Sequence, residues 1–177
     1  MASEARYAAP ARRLHWLTAA VIVAIGLSGL AITRLPLGDV PWRGKLYALH
    51  ETLGVLLLFL ALARVWVRLR HPPPPLPAGM PGAMRGAAHG VHLVLYGLML
   101  SLPVIGYVAT DAGGNHIKLF GLLTLPSPVG KDEALAARLV HLHFVGTLTL
   151  LGLVAVHVLA VAFHAVVRRD GVLRRMA

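Results

Sequence analysis

The sequence contains no cysteine and few charged residues. Without cysteine the chain cannot form disulfides, thiolate metal sites, iron–sulfur clusters or the C-x-x-C-H attachment of a c-type haem. Charged residues make up only 14% of the 177 residues, whereas a typical soluble domain carries roughly 25%. The chain therefore lacks the polar surface that a protein of this size needs to stay in water.

Acidic residues are the scarcest charged class. Seven Asp and Glu residues stand against 17 Lys and Arg residues, which gives a formal net charge of +10. In a soluble protein such a basic excess would suggest nucleic-acid binding. Here 57% of the residues are hydrophobic, and the basic residues cluster between long uncharged runs, which is typical of a polytopic membrane protein. We therefore predict a lipid bilayer and no nucleic acid as partner.

The long apolar runs predict four transmembrane helices. A bilayer core of about 30 Å requires roughly 20 apolar residues in a helix. The second run is the weakest because it carries Glu51 and Arg64, each near one end, where long charged side chains can reach the interface. The predicted fold is all-α, a single domain over residues 1–177 that forms a four-helix transmembrane bundle. Its spans are residues 14–34, 46–67, 86–110 and 139–167.

The connections between these runs have turn and loop composition. Residues 36–43 hold two prolines and a glycine, and residues 71–82 hold six prolines. The first composition predicts a turn and the second an extended, polyproline-like loop.

The distribution of Lys and Arg predicts the orientation. The N-terminus, the second connection with its flanks and the C-terminus hold 11 of the 17, and the other two connections hold 6. Because Lys and Arg accumulate in cytoplasmic loops, both termini are predicted to be cytoplasmic. The run that starts at Leu14 exceeds the 7–15 apolar residues of a signal peptide, so it is interpreted as the first span.

Ten histidines are unusual in so apolar a chain. An ionisable side chain in a membrane helix is a candidate functional residue, although a single histidine can simply bond across helices. At 100° per residue, His143 and His157 share one face of the fourth helix, about 21 Å apart, and His141 lies on the face opposite His157. His164 shares the face of His157 but lies only four residues before Arg168.

The first two helices each place one histidine at the membrane depth of His143 or of His157. His15 opens helix one at the predicted cytoplasmic edge, level with His157, and His50 opens helix two at the opposite edge, level with His143. Two imidazoles that face each other across a bundle suit bis-histidine haem ligation. A zinc site would need three or four converging ligands, and Glu51 is the only carboxylate in the predicted spans.

Four further histidines leave alternatives open. His141 could replace His143 as a ligand. His164 could replace His157, but the two irons would then lie roughly 31 Å apart along the helix axis, and electron tunnelling falls steeply with distance.

His89 and His92 open helix three at the cytoplasmic depth. They could hold haem propionates or a quinone headgroup, or they could be ordinary interfacial polar residues.

Several segments resemble a known family. They are residues 13–17 (RLHWL), 49–54 (LHETLG), 89–96 (HGVHLVLY), 102–107 (LPVIGY) and 169–176 (RDGVLRRM), together with His143, His157 and His164. In this order, over nearly the whole chain, they resemble the prokaryotic dihaem cytochrome b561 family.

The resemblance implies two non-covalent b-type haems. His15 and His157 would ligate the iron of the cytoplasmic-side haem, and His50 and His143 that of the periplasmic-side haem. It also implies an oxidoreductase of the bacterial inner membrane that passes electrons to the quinone pool. One branch of the family oxidises superoxide at the periplasmic face and reduces ubiquinone. The basic outer loops would attract such an anion, although ordinary loop charges are an equally good reading.

Two other functions remain open from the sequence. A haem-binding membrane anchor subunit of a larger dehydrogenase or hydrogenase would show the same histidines, but the short termini and loops offer no large docking domain. A haem-free proton or metal transporter would use intramembrane histidines directly. The lack of broken helices and of further membrane carboxylates argues against it.

Overall fold

A computed structural model describes residues 6–34, 42–77 and 79–177, and long helices account for most of them. Four of these helices are long and apolar enough to cross a membrane, which confirms the predicted four-helix transmembrane fold. A π-helical turn, His164–Arg168, continues the last helix, and a short 3-10 helix, Leu173–Arg175, follows it. The four helices are α1 (Ala9–Arg34), α2 (Trp42–Arg70), α3 (Gly82–Ala112) and α4 (Glu133–Phe163).

Helices α2 and α3 extend beyond their predicted spans at both ends because backbone chemistry, not charge, ends them. Four consecutive prolines at 72–75 stop α2 just after Arg70, since proline cannot donate a helical hydrogen bond and disfavours the helical conformation of the residue before it. Pro81 precedes the first residue of α3. The predicted turn at residues 36–43 falls largely on 35–41, which lie outside the described residues.

The core is a narrow apolar layer between the helices. Helix α3 packs on α4, α1 on α2, and α2 on α3. The outward faces are also apolar, with Leu148, Val156 and Leu159 of α4 all exposed, as expected for a helix that faces lipid. The buried cluster consists of Val21, Ile22, Leu57, Leu60, Ala61, Leu95, Met99, Leu102 and Leu150.

The start of α1 and the C-terminal segment lie at one end of the bundle, here called the terminal end. The Tyr7 amide donates to the Arg175 carbonyl oxygen at 3.1 Å, and the Trp16 indole Nε1 donates to the Met176 carbonyl oxygen at 2.9 Å. The Arg175 guanidinium donates to the Pro75 carbonyl oxygen, which brings the proline-rich loop to the same end. The opposite end is called the far end. That the terminal end faces the cytoplasm stays a prediction.

Asp170 fastens the last turn of the chain at the terminal end. The residues on either side, Arg169 (φ 52°) and Gly171 (φ 75°), turn the backbone. The Asp170 carboxylate then accepts from His164 Nδ1 at 2.6 Å and from Arg168 Nε at 3.1 Å. Burial opposes its ionisation, but these hydrogen bonds prevail and hold the pKa of Asp170 below its ordinary value.

We expect Asp170→Ala to lower the free energy of unfolding by about 2 kcal/mol, because it removes two charge-assisted hydrogen bonds from a mostly buried site. For a chain of this size that corresponds to a fall in Tm of about 6 °C in detergent micelles. Because its pKa is lowered, ionised Asp170 stabilises the fold above about pH 4, and this contribution declines as the pH falls through the lowered pKa.

Glu133→Ala is the matched control for that prediction, because the Glu133 side chain is 81% exposed and pairs only with the exposed Lys131. Its effect on the free energy of unfolding should stay within about 0.5 kcal/mol. Equal Tm values for the two variants would show that Asp170 does not fasten the terminal end.

The third connection is folded back onto the helices at the far end. It contains a hairpin in which Lys118–Leu119 pairs antiparallel with Leu123–Thr124, an element the sequence did not predict. The Phe120 amide donates to Thr52 Oγ1 of α2 at 3.3 Å. Oδ2 of the buried Asp111 accepts from the amides of Val129 and Gly130, both at 2.9 Å. These bonds tie the connection to α2 and α3.

Candidate functional site

The structure brings His50 of α2 and His143 of α4 together toward the far end; they are called the far-end pair. Their ring centroids lie 6.2 Å apart with the ring planes at 74°. A metal–imidazole bond of about 2.0 Å on each side, with about 1.1 Å from each nitrogen to its ring centre, gives a centroid separation of about 6.2 Å. The spacing of this pair therefore fits one metal ion between two axial imidazoles.

Hydrogen bonds fix the tautomers of the far-end pair. The Ser28 hydroxyl donates to the Ile25 carbonyl oxygen at 2.9 Å, so it accepts from His50 Nδ1 at 3.1 Å. His143 Nδ1 donates to the Leu102 carbonyl oxygen at 3.1 Å. With the proton held on Nδ1, Nε2 of each neutral ring is free to ligate a metal.

Glycines make room for both rings. A Cβ atom at Gly29 of α1 would lie 3.1 Å from His50 Cε1, and one at Gly106 of α3 would lie 3.1 Å from His143 Cε1. Ordinary contacts between such carbons begin near 3.5 Å. The two histidines therefore approach helix backbones that carry no side chain at the point of contact.

The second pair lies toward the terminal end and consists of His15 of α1 and His157 of α4, called the terminal-end pair. Its ring centroids lie 6.3 Å apart with the planes at 60°. This separation matches that of the far-end pair to 0.1 Å. Because α4 supplies a residue to each pair, 14 positions apart, the two sites lie about 21 Å apart along the helix axis.

The structure places a third histidine beside the terminal-end pair. The half-buried His92 ring of α3 has its centroid 5.3 Å from that of His157, and its Nδ1 donates to the Ala88 carbonyl oxygen at 2.7 Å. His89 donates to the Arg85 carbonyl oxygen in the same way but is exposed.

The two alternative ligands considered from the sequence lie in other surroundings. His141 is exposed on the outside of α4. His164 is buried and donates its Nδ1 proton to Asp170 at 2.6 Å. Neither ring takes part in the close ring contacts of the two pairs.

Comparison with known proteins identifies the family. The sequence model for prokaryotic cytochrome b561 matches residues 6–177. The chain belongs to the prokaryotic cytochrome b561 family. It is 32% identical over 172 residues to cytochrome b561 homolog 2 of Escherichia coli (strain K12), covering 97% of this chain and 90% of the relative. It is 29% identical over 167 residues to the probable superoxide oxidase CybB of Yersinia pestis, covering 92% of this chain and 90% of that one.

A cytochrome b561 is a multi-pass protein of the bacterial inner membrane that binds b-type haem and transfers electrons through it. The residues of this cytochrome fit such a group, because each pair offers two imidazoles at the spacing of axial ligands. The tautomers of the far-end pair leave Nε2 available, as ligation requires.

Sequence reasoning missed three residues of these sites. Ser28 and Gly106 position the far-end pair, and Arg64 of α2 lies beside the terminal-end pair. Gly106 belongs to the LPVIGY segment that carried part of the family resemblance, so a signal was present. Ser28 carries no such signal, because a small polar residue in a membrane helix is common at plain helix contacts.

Proposed function

We propose that this cytochrome b561 holds two b-type haems, one at each histidine pair. His15 and His157 would be the axial ligands at the terminal end, and His50 and His143 those at the far end. The observation that carries the proposal is the agreement of two independent ring separations, 6.3 and 6.2 Å, with the span of an iron ligated on both sides. Haem supplies reversible one-electron chemistry at each site.

We further propose that electrons enter at the far end and leave to ubiquinone in the membrane. If His15, His157, His50 and His143 hold the two irons on both sides, neither iron would have a position open to substrate, and electrons would enter and leave through the haem edges. The protein residues would therefore ligate the iron, orient the haem and exclude water from it. Leu150, midway along α4 between His143 and His157, belongs to the buried apolar core together with Leu57 and Met99.

Superoxide is the electron donor that we propose at the far end. Support comes from the relative in Yersinia pestis, whose name describes a probable superoxide oxidase. The far-end connections also carry six of the Lys and Arg residues, which favours an anionic donor. Two superoxide ions would each lose one electron to become oxygen, and ubiquinone would take up both electrons with two protons to become ubiquinol.

The first test is a dithionite-reduced minus oxidised absorption spectrum of the purified protein, with haem quantified per chain. We expect sharp low-spin b-type bands and about two haems per chain, as two pairs of axial ligands imply. A flat spectrum from folded protein would overturn the haem proposal and favour direct use of the histidines in transport.

The second test supplies enzymatically generated superoxide and a soluble ubiquinone analogue to the two-haem protein. We expect ubiquinol formation that stops when superoxide dismutase is added, since the dismutase removes the donor without touching the cytochrome. Two haems without superoxide-dependent quinone reduction would overturn the donor assignment. Co-purification of a soluble dehydrogenase subunit would then favour the anchor function.

A further inference from the structure

Arg64 is a cation within the second membrane helix, and it lies at the terminal-end pair. Its Nη2 atom is 3.3 Å from His15 Nδ1, and its Cζ atom is 5.2 Å from the centre of the Tyr96 ring of α3. The side chain is half-buried. Arg64 therefore holds a full positive charge against two uncharged ring systems, one on α1 and one on α3.

The charge of Arg64 has no counter-charge among the residues that the structure describes. Within the described residues 6–34, 42–77 and 79–177, no carboxylate oxygen lies within 4.0 Å of its guanidinium. A guanidinium removed from water in a membrane helix is costly unless an anion or several acceptors compensate it. The contact with the Tyr96 ring offsets only part of that cost. An anionic group beside Arg64 would therefore stabilise its half-buried charge.

The hydrogen bond from Arg64 to His15 is incompatible with ligation by His15 through Nε2. A guanidinium can only donate, so the bond requires His15 Nδ1 to be unprotonated and places the ring proton on Nε2. Ligation through Nε2 requires the reverse, with the proton on Nδ1, as the hydrogen bonds of His50 and His143 already arrange. When His15 ligates a metal, Arg64 must therefore find another acceptor.

We propose that Arg64 is a positioning residue that binds a propionate carboxylate of the terminal-end haem and thereby leaves His15 free to ligate the iron. This inference rests on the proposed haem at that site. A haem brings two carboxylates, and a guanidinium can bind one of them through two parallel hydrogen bonds. The positive charge also favours the reduced iron of this haem over the oxidised iron, which carries one more positive charge.

The test is spectropotentiometry of the purified two-haem protein and of three variants. In Arg64→Gln we expect the equilibrium constant for reduction of one haem to fall about tenfold, as for loss of a unit charge at close range in a partly buried site. For a one-electron couple this is a shift of about 59 mV. The other haem should keep its potential, and Arg64→Lys should restore most of the difference.

Arg70→Gln is the matched control, because Arg70 lies on the same helix, is exposed and also contacts an aromatic ring, that of Trp66. Unchanged potentials in Arg64→Gln, equal shifts of both haems, or the same shift in Arg70→Gln would overturn the proposal. If Arg64→Gln binds a single haem and Arg64→Lys binds two, the proposal is supported. Loss of both haems would indicate a general folding role and overturn it.

A second measurement tests the carboxylate itself. Haem-free protein is titrated with protohaem or with its dimethyl ester, whose carboxylates are blocked. In the native protein we expect the ester to bind the terminal-end site at least tenfold more weakly than protohaem. In Arg64→Gln we expect the ester and protohaem to bind this site equally well. An ester penalty of the same size in both proteins would show that Arg64 does not bind the carboxylate. A native protein that binds fewer than two protohaems would instead refute the proposed function.

Discussion

His143→Ala is expected to leave one haem per chain, whereas His141→Ala should keep two. His143 has its Nδ1 proton held by the Leu102 carbonyl oxygen and its ring 6.2 Å from that of His50, so its removal leaves the far-end iron with a single axial ligand. His141 is exposed two residues away on the same helix and touches neither pair. Haem content per chain, measured on the purified variants, checks the prediction.

His143→Ala and His157→Ala should differ in the identity of the haem that remains. Since the terminal-end pair shares no residue with the far-end pair, His143→Ala should retain the absorption bands and the potential of the other haem. His157→Ala should show the reverse pattern, with the terminal-end haem lost. Equal haem content in the His141 and His143 variants would refute the ligand assignment.

Gly106→Val is expected to abolish haem binding at the far end without unfolding the bundle. A Cβ atom at this position would already lie 3.1 Å from His143 Cε1, and the two methyl groups of valine would displace the ring further. The displaced ring could not keep both its bond to Leu102 and its distance from His50. Haem content should fall from about two to about one per chain, as for loss of one bis-histidine site.

Gly97→Val provides the control on the same helix. A Cβ atom at Gly97 meets no atom within 4 Å, and the residue is exposed. Both substitutions therefore carry the same small intrinsic effect on helix formation, and only one of them adds bulk beside a histidine. Two haems per chain in Gly106→Val would mean that the far-end site tolerates the displacement of His143.

Helix arithmetic predicts the pairing of His50 with His143 and favours that of His15 with His157, but it does not predict the contact of His92 with His157. A membrane helix has nearly constant rise and rotation, so the 14-residue spacing of His143 and His157 fixes both their common face and their depth. Antiparallel helices with short connections then bring His50 and His15 to those depths. The 6.2 and 6.3 Å separations show that these four rings do come together as two pairs.

The parts that could not be predicted depend on contacts between distant segments. The hairpin at residues 118–124 is held by a bond to Thr52, 68 positions from its partner Phe120, and Asp170 fastens a turn that has no periodic pattern. From the sequence alone, Arg64 is only a charge near a membrane interface. Its position beside His15, 49 positions away, depends on how α1 packs against α2.

Helix α4 fixes the distance between the two histidine pairs, because it contributes one residue to each pair. His143 and His157 are joined by a single continuous stretch of helix, whereas their partners sit on separate helices, α1 and α2. The distance between the two histidine pairs, and between the haems proposed there, would thus be set by one continuous helix. A one-residue insertion between the two histidines would turn one by about 100° relative to the other. It would move one of the two rings away from its partner while all four histidines stayed in the sequence.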